Sequence, residues 1–269
     1  MFFSCSTYVV EKVYDNLDWL AINEIDDYFD LNEKQDDYLE KEFAEVLNWH
    51  KHNELPFFKD TLLTIKNLVN AEQISSDQIN KIRLLFSKTK KEYILKLEPV
   101  IVSFLRTVDK AQLEYLKEEL QEYNNDHEEE LTDTNEKEYF EEKLKDAHDD
   151  FEDRTGSITD EQREILRNYG GISYASQLIR AEQRKIYQKA FLTFMDSSPN
   201  EPAIKAIVIN WLLNPQELMT PETIQSKDKG RAIRNEYYLK MHKTLSHEQK
   251  KELSEQIDDY IHFIDGIRK

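Results

Sequence analysis

The sequence predicts an all-α protein of roughly eight to ten helices in an irregular bundle. Three observations carry this prediction. Five glycines and six prolines in 269 residues leave too few turn residues for sheets and tight hairpins. Apolar side chains recur at intervals of three, four and seven along most of the chain, the spacing of an amphipathic helix. One helix-start signature also occurs five times, an apolar residue followed by a short polar residue and then, three positions on, by Gln. It reads Leu31-Asn32…Gln35, Ile74-Ser75…Gln78, Val108-Asp109…Gln112, Ile158-Thr159…Gln162 and Leu245-Ser246…Gln249. This is a capping box, in which the short side chain accepts from a first-turn amide and the Gln reaches back to the amide of the cap. Each cap contributes about 1 kcal/mol. The boxes are unequally spaced, so they mark helix starts and not a solenoid repeat.

The elements follow in order. A short small-and-apolar leader, residues 1–7, precedes a first helix over 8–29 with Val9, Val10, Val13, Leu17, Leu20, Ile25 and Tyr28 on one face. A second helix over 33–54 carries Leu39, Phe43, Val46 and Leu47 and is expected to stop at Pro56, which lacks an amide donor. A third follows over 57–70 and a fourth over 75–107, where Pro99 predicts a kink or split. These helices make up an N-terminal region, residues 8–107.

Residues 108–157 form a second region. Between 117 and 154 there are 17 Asp or Glu against 5 Lys or Arg, with a thin apolar stripe that includes Leu120, Tyr123, Leu144 and Phe151. The pattern predicts a projecting acidic helical hairpin with its break near Leu131-Thr132. It serves either as a solvated face or as a binding arm for a basic or unfolded protein partner.

The C-terminal region, residues 158–269, begins with a helix from Asp160 to Asp196, interrupted at Gly170-Gly171 because paired glycines disfavour a helix by about 1 kcal/mol each. Ala203–Leu213 is apolar all round and is expected to be central. Thr220-Pro221 and Ser246 open the last two helices. The three regions read as one continuous fold.

The net charge of −18 excludes a nucleic-acid binder, which needs a basic surface. It also disfavours an anionic lipid surface. No apolar run is long enough to span a bilayer. The one cysteine, Cys5, permits no internal disulfide. There is no glycine-rich phosphate loop, H-E-x-x-H or G-x-S-x-G motif, so no cofactor, metal site or catalytic residue is assigned. His50-Lys51-His52 has the wrong spacing for two ligands on one helix face.

Two groups of residues remain as candidates. The first helix concentrates Tyr14, Asn16, Asp18, Trp19, Asp26, Asp27, Tyr28 and Asp30, with Trp49 and His50 on the second helix able to lie alongside. Its carboxylates are spaced to share a proton or hold a divalent cation, to pair with a neighbouring cation, or to be solvated. The second group is Arg180, Arg184, Arg231 and Arg234 with Asn235, which bind either the protein's own carboxylates or an anionic ligand.

The run Val13-Tyr14-Asp15-Asn16-Leu17-Asp18-Trp19, then Asp26-Asp27-Tyr28-Phe29-Asp30-Leu31 and Gln35, with Trp49-His50 and Leu55-Pro56, resembles the opening of an uncharacterised family of Gram-negative lipoproteins. Those proteins show Y-N-N-x-D-W and D-D-Y-x-D-L-T-x-x-Q soon after a lipidated cysteine. The segments Ile158…Gln162 and Leu245-Ser246-His247-Glu248-Gln249 look like the family's later helices. The resemblance implies lipidation at Cys5 and a tether on the periplasmic side, to the outer membrane, with the membrane contacted through the lipid only. It implies no activity. A non-enzymatic scaffold or chaperone-like role is the leading expectation, with an enzyme or metal-dependent site on the acidic first helix, or a purely structural envelope protein, as alternatives. The capping boxes also look like the L-T-x-x-Q motifs of Spy-like periplasmic chaperones.

Overall fold

A computed structural model describes residues 12–14 and 16–267. Cys5, the leader and the start of the first predicted helix lie outside them. Among the described residues there are eleven α-helices and no strand. They are α1 Leu17–Phe29, α2 Glu33–Trp49, α3 Leu55–Asn70, α4 Ser76–Leu105, α5 Lys110–Thr132, α6 Glu136–Thr155, α7 Asp160–Tyr169, α8 Tyr174–Asp196, α9 Glu201–Leu213, α10 Pro221–Thr244 and α11 His247–Ile267.

All five capping boxes form. Asn32, Ser75, Asp109 and Thr159 each accept from the amide three residues on, and the Gln there accepts from the amide of the cap. Ser246 and Gln249 make the same two bonds. Four of the five boxes do more: they pair. The side-chain amides of Gln35 and Gln112 donate to each other at 3.0 and 2.7 Å, and those of Gln162 and Gln249 do so at 2.8 and 3.0 Å. Each Gln also donates to the backbone carbonyl two residues before the partner box's cap, at Thr107, Asp30, Thr244 and Ser157 respectively.

These two knots organise two similar four-helix groups. In the first, α1 packs on α2 and α5, and α2 packs on α4. In the second, α6 packs on α7 and α11, and α7 packs on α10. The helix before one box therefore lies on the helix after the other, in both groups. The boxes are unequally spaced because different helices intervene, α3 in the first group and α8 with α9 in the second.

The intervening helices cross over. Helix α3 docks on α11 of the second group through Lys59–Asp265 and Lys66–Asp258, and meets α10 where His242 Nε2 lies 3.0 Å from the Leu68 carbonyl. Helices α8 and α9 dock on α5 and α4 of the first. Each group thus covers apolar surface belonging to the other.

Four expectations are revised. The first predicted helix is interrupted by a turn at Asn16. Pro56 does not end the second helix, because the chain passes through one π-turn, His50–Glu54, directly into α3, where Pro56 sits in the first turn and its missing amide costs nothing. Pro99 leaves α4 as a single helix. The acidic stretch forms two helices with a break at 133–135, as the pattern suggests, but neither projects. Helix α5 lies along α1 and α8, and α6 along α7, α8 and α11. The reason is that Leu131 and Leu144 within the stretch, and Leu116 just before it, are each at most 5% exposed, so even this thin stripe requires cover. The break at the paired glycines is as expected: α7 ends at Tyr169, and Gly171 takes φ +76°, a left-handed conformation that suits glycine.

Candidate functional site

The π-turn positions the most unusual side chain in the protein. A π-turn inserts an extra residue into a helical ladder and is often found at functional sites. Here it turns His50 and Glu54 toward α4 and the N-terminal segment. Tyr14 is buried, with its hydroxyl 2.9 Å from His50 Nδ1 and its ring edge-on to Phe263. His50 Nε2 lies 3.8 Å from Glu54 Oε2, and the His50 ring meets Tyr93 of α4 edge-on. Glu54 is only 4% exposed, and its Oε1 has no hydrogen-bond partner among the described residues.

The electrostatics follow from burial. Loss of solvent pushes the Glu54 carboxyl up to about 7, with Glu92 adding like-charge repulsion. Burial lowers the pKa of His50 and raises that of Tyr93, which also feels Glu54. Near neutral pH, His50 is therefore an uncharged imidazole, and Glu54 is poised between acid and carboxylate. His50, Glu54 and Tyr93 line a pocket of about 390 Å³ together with Leu17, Ala21, Val46 and Leu47, with Asp18 and Lys90 beside them.

A larger cleft of about 770 Å³ adjoins this pocket, and Phe43 and Lys90 line both. Its walls are aromatic: Tyr28 and Phe29 of α1, Phe191 and Phe194 of α8, and Trp211 of α9. This places α9 differently from the expectation of a central helix. Ile204 and Val208 are buried, whereas Ile207, Trp211 and Leu212 line the cleft. A helix that is apolar all round here has one face in the core and another on an open apolar surface. Glu24, Lys90 and Gln188 bring polar groups to the lining.

The sequence candidates separate into distinct places. His50 and Asp18 line the polar pocket, Tyr14 bonds to His50, and Tyr28 belongs to the cleft. Asn16 bonds back to the Lys12 carbonyl at 2.6 Å, and Trp19 is 60% exposed. Asp26 accepts from the Leu31 amide at 2.7 Å and so closes the end of α1, where Asp30 adopts φ 47°. Asp27 is exposed and Trp49 half-buried. Asp26 and Asp30 thus serve the helix terminus, while Asp18 serves the pocket two turns away. Among the described residues no group of three or more His, Cys, Asp or Glu is placed to hold a metal ion.

The arginines come together only in part. Arg184 turns to α5, donating to Asn124 Oδ1 at 3.2 Å with its guanidinium 4.7 Å from the centre of the Tyr123 ring. Arg180 and Arg231 flank Lys227, whose pKa is lowered by burial and by the nearby charges of Lys90, Arg180 and Arg231. Arg231 also lies 3.6 Å from Asp228. Arg234 is exposed, and Asn235 is half-buried with its Oδ1 unpartnered among the described residues.

Glu54 was missed by the sequence reading. It precedes Leu55-Pro56, the point at which a helix end was expected, and its position four residues after His50 was the available signal. Residues 27–223 match a family of unknown function (DUF6279). The chain belongs to the DUF6279 family. No curated protein and no solved structure matches it. The DUF6279 segment takes in the π-turn with His50 and Glu54, most of the cleft wall, and the Gln35–Gln112 knot. Tyr14 and Gln249 lie outside it.

Proposed function

We propose that this chain is a non-enzymatic binding protein of the cell envelope, held by a lipid on Cys5 at the periplasmic face of the outer membrane. It captures an apolar segment of a protein partner in the aromatic cleft. The likeness of residues 13–56 to lipoproteins supports the tether. The cleft carries the binding role: its volume lies within the ordinary range for ligand sites, and it is walled almost wholly by hydrocarbon and aromatic rings. Open apolar surface of this kind marks an interaction site in a protein otherwise so highly charged. The surrounding net charge of −18 favours a basic partner.

Leu212 tests this reading, because it lines the cleft and is 38% exposed, so that a charge there is tolerated by the fold. The full chain should suppress aggregation of reduced, unfolded lysozyme, a basic client. Leu212→Asp should lower that capacity at least tenfold while leaving the melting curve unchanged. Equal capacity in the two proteins would exclude the cleft as the capture surface.

A further inference from the structure

We propose that the pocket bounded by the π-turn is a binding site for a primary ammonium group carried on a short alkyl chain, with Glu54 as its counter-ion. The chemistry is that of a free alkylamine or of a lysine side chain.

The argument starts from the orphaned oxygen. A carboxylate that is 96% buried and has one oxygen unbonded is unfavourable, because a buried polar group without a partner costs free energy that folding alone does not return. Nothing on its own helix relieves this. His50 is occupied on Nδ1 by Tyr14, and its Nε2 stands 3.8 Å from the other carboxylate oxygen, Oε2, too far for a hydrogen bond. Thr89, on α4, directs its hydroxyl to the Leu85 carbonyl. Among the described residues the Tyr93 hydroxyl and the Lys90 ammonium also line the pocket, but neither bonds to Oε1, which is left open to a donor entering the pocket.

The groups facing the pocket specify the charge of that donor. Asp18 from α1 and Glu54 from the π-turn line it, Glu92 from α4 acts on Glu54, and Lys90 from α4 is the cation opposing them. With Glu54 ionised, the two carboxylates of the lining outnumber its one lysine, Glu92 lying 3.9 Å from Lys88, and Lys90 is exposed and free to extend into solvent. One further positive charge reduces the imbalance. An anion would meet the carboxylates of Asp18 and Glu54, and a neutral hydroxyl would leave the charge of Glu54 unanswered.

The walls specify the rest. Tyr93 presents a ring beside the polar end, suited to a cation. Leu17, Ala21, Val46 and Leu47 supply apolar lining to the same pocket. A volume of about 390 Å³ accepts a chain of four or so methylenes with its ammonium. The raised pKa of Glu54 agrees with a site awaiting a cation, because a bound ammonium would return that pKa toward the ordinary carboxylate range.

The inference stands independently of the cleft, and its test reads a different site. The full chain would be titrated calorimetrically at pH 8 with n-butylamine, n-butanol and butyrate. Saturable one-to-one binding of n-butylamine is expected, with n-butanol and butyrate at least tenfold weaker. Glu54→Gln should weaken the amine at least tenfold. Absence of saturable amine binding, equal binding of the alcohol, or an unaffected Glu54→Gln variant would each overturn the proposal. Should that variant fail to fold, the wild type supplies the decision: the carboxyl ¹³C titration of Glu54 must move to lower pH in saturating n-butylamine, and an unmoved curve overturns the site. A blocked lysine, N-acetyl-lysine methylamide, distinguishes the sources. Tighter binding than n-butylamine assigns a partner's lysine and weaker binding a free amine; failure of both refutes the inference.

Discussion

Gln162 and Gln249, 87 residues apart, hydrogen-bond through their side-chain amides in both directions while each also caps its own helix. Each amide makes four bonds, two accepted by its oxygen and two donated by its nitrogen, which is its full capacity. Both side chains are at most 1% exposed. Gln162→Leu would strand the Thr244 carbonyl and the Thr159 amide and would take one bond from each end of the Gln249 amide. A loss of about 3 kcal/mol is expected from urea unfolding. Adding Gln249→Leu should cost less than its own single effect, because its principal partner is already gone. Strict additivity would show that the two amides do not act as one unit.

Gln162→Glu probes the same knot by charge. It is isosteric, but it replaces two donors with an acceptor facing the Gln249 oxygen and the Thr244 carbonyl. Destabilisation should exceed that of Gln162→Leu at pH 8 and shrink at pH 4, where a protonated carboxyl recovers one donor. The parallel pair Gln35–Gln112 should respond in the same sense to Gln35→Glu, read from the same unfolding curves.

Glu54 makes stability depend on pH in an unusual direction. Its pKa is raised on folding, from 4.5 to about 7, so the folded protein holds a proton that the unfolded chain releases. Its contribution is therefore fully present below about 4.5 and is lost as pH rises through about 7. The loss amounts to roughly 3 kcal/mol at pH 8. Glu54→Gln removes it. The variant should gain on the wild type by about that amount between pH 4 and pH 8, measured by chemical denaturation. A difference between the two that does not change with pH would show that Glu54 is not held in a desolvated site.

Much of this architecture is legible in the sequence because capping and periodicity are local. Asn32…Gln35 and Ser246…Gln249 declare helix starts from four residues each, and the paired Gly170-Gly171 declares a stop. What is not legible is what each Gln does with its second lone pair and its two donors, since that depends on a residue 77 or 87 positions away. The same limit hid Glu54. A glutamate just ahead of Leu55-Pro56 reads as a solvated helix end, and only the π-turn, which keeps the helix running past Pro56, places it inside. Tyr14 and His50 were visible as members of a motif, but their 2.9 Å contact spans 36 residues. The acidic stretch misled for a related reason: charge density along a helix says how much of its surface is wet, and it takes only Leu116, Leu131 and Leu144 to fix the dry side.

That dry side decides what removing the acidic stretch would do. Tyr174 donates to the Leu131 carbonyl at 2.6 Å, Asn124 donates to Gln188 at 2.7 Å, Lys185 pairs with Glu128, and the guanidinium of Arg184 lies over Tyr123. All four tie the stretch to α8. Helix α6 also carries Leu144, only 2% exposed, into the core shared with α7 and α10. Deleting residues 117–154 should therefore abolish cooperative unfolding, seen as a broad, low-amplitude thermal transition, and not leave an intact body without its arm. The charge can be tested without the deletion. Glu129, Glu130, Glu142 and Asp149 are exposed. Converting them to Gln or Asn should leave the melting temperature unchanged or slightly raised, because self-repulsion falls. The same substitutions should weaken capture of a basic client, most visibly at low salt. Capture that is unaffected at low ionic strength would assign the acidic surface to solubility alone.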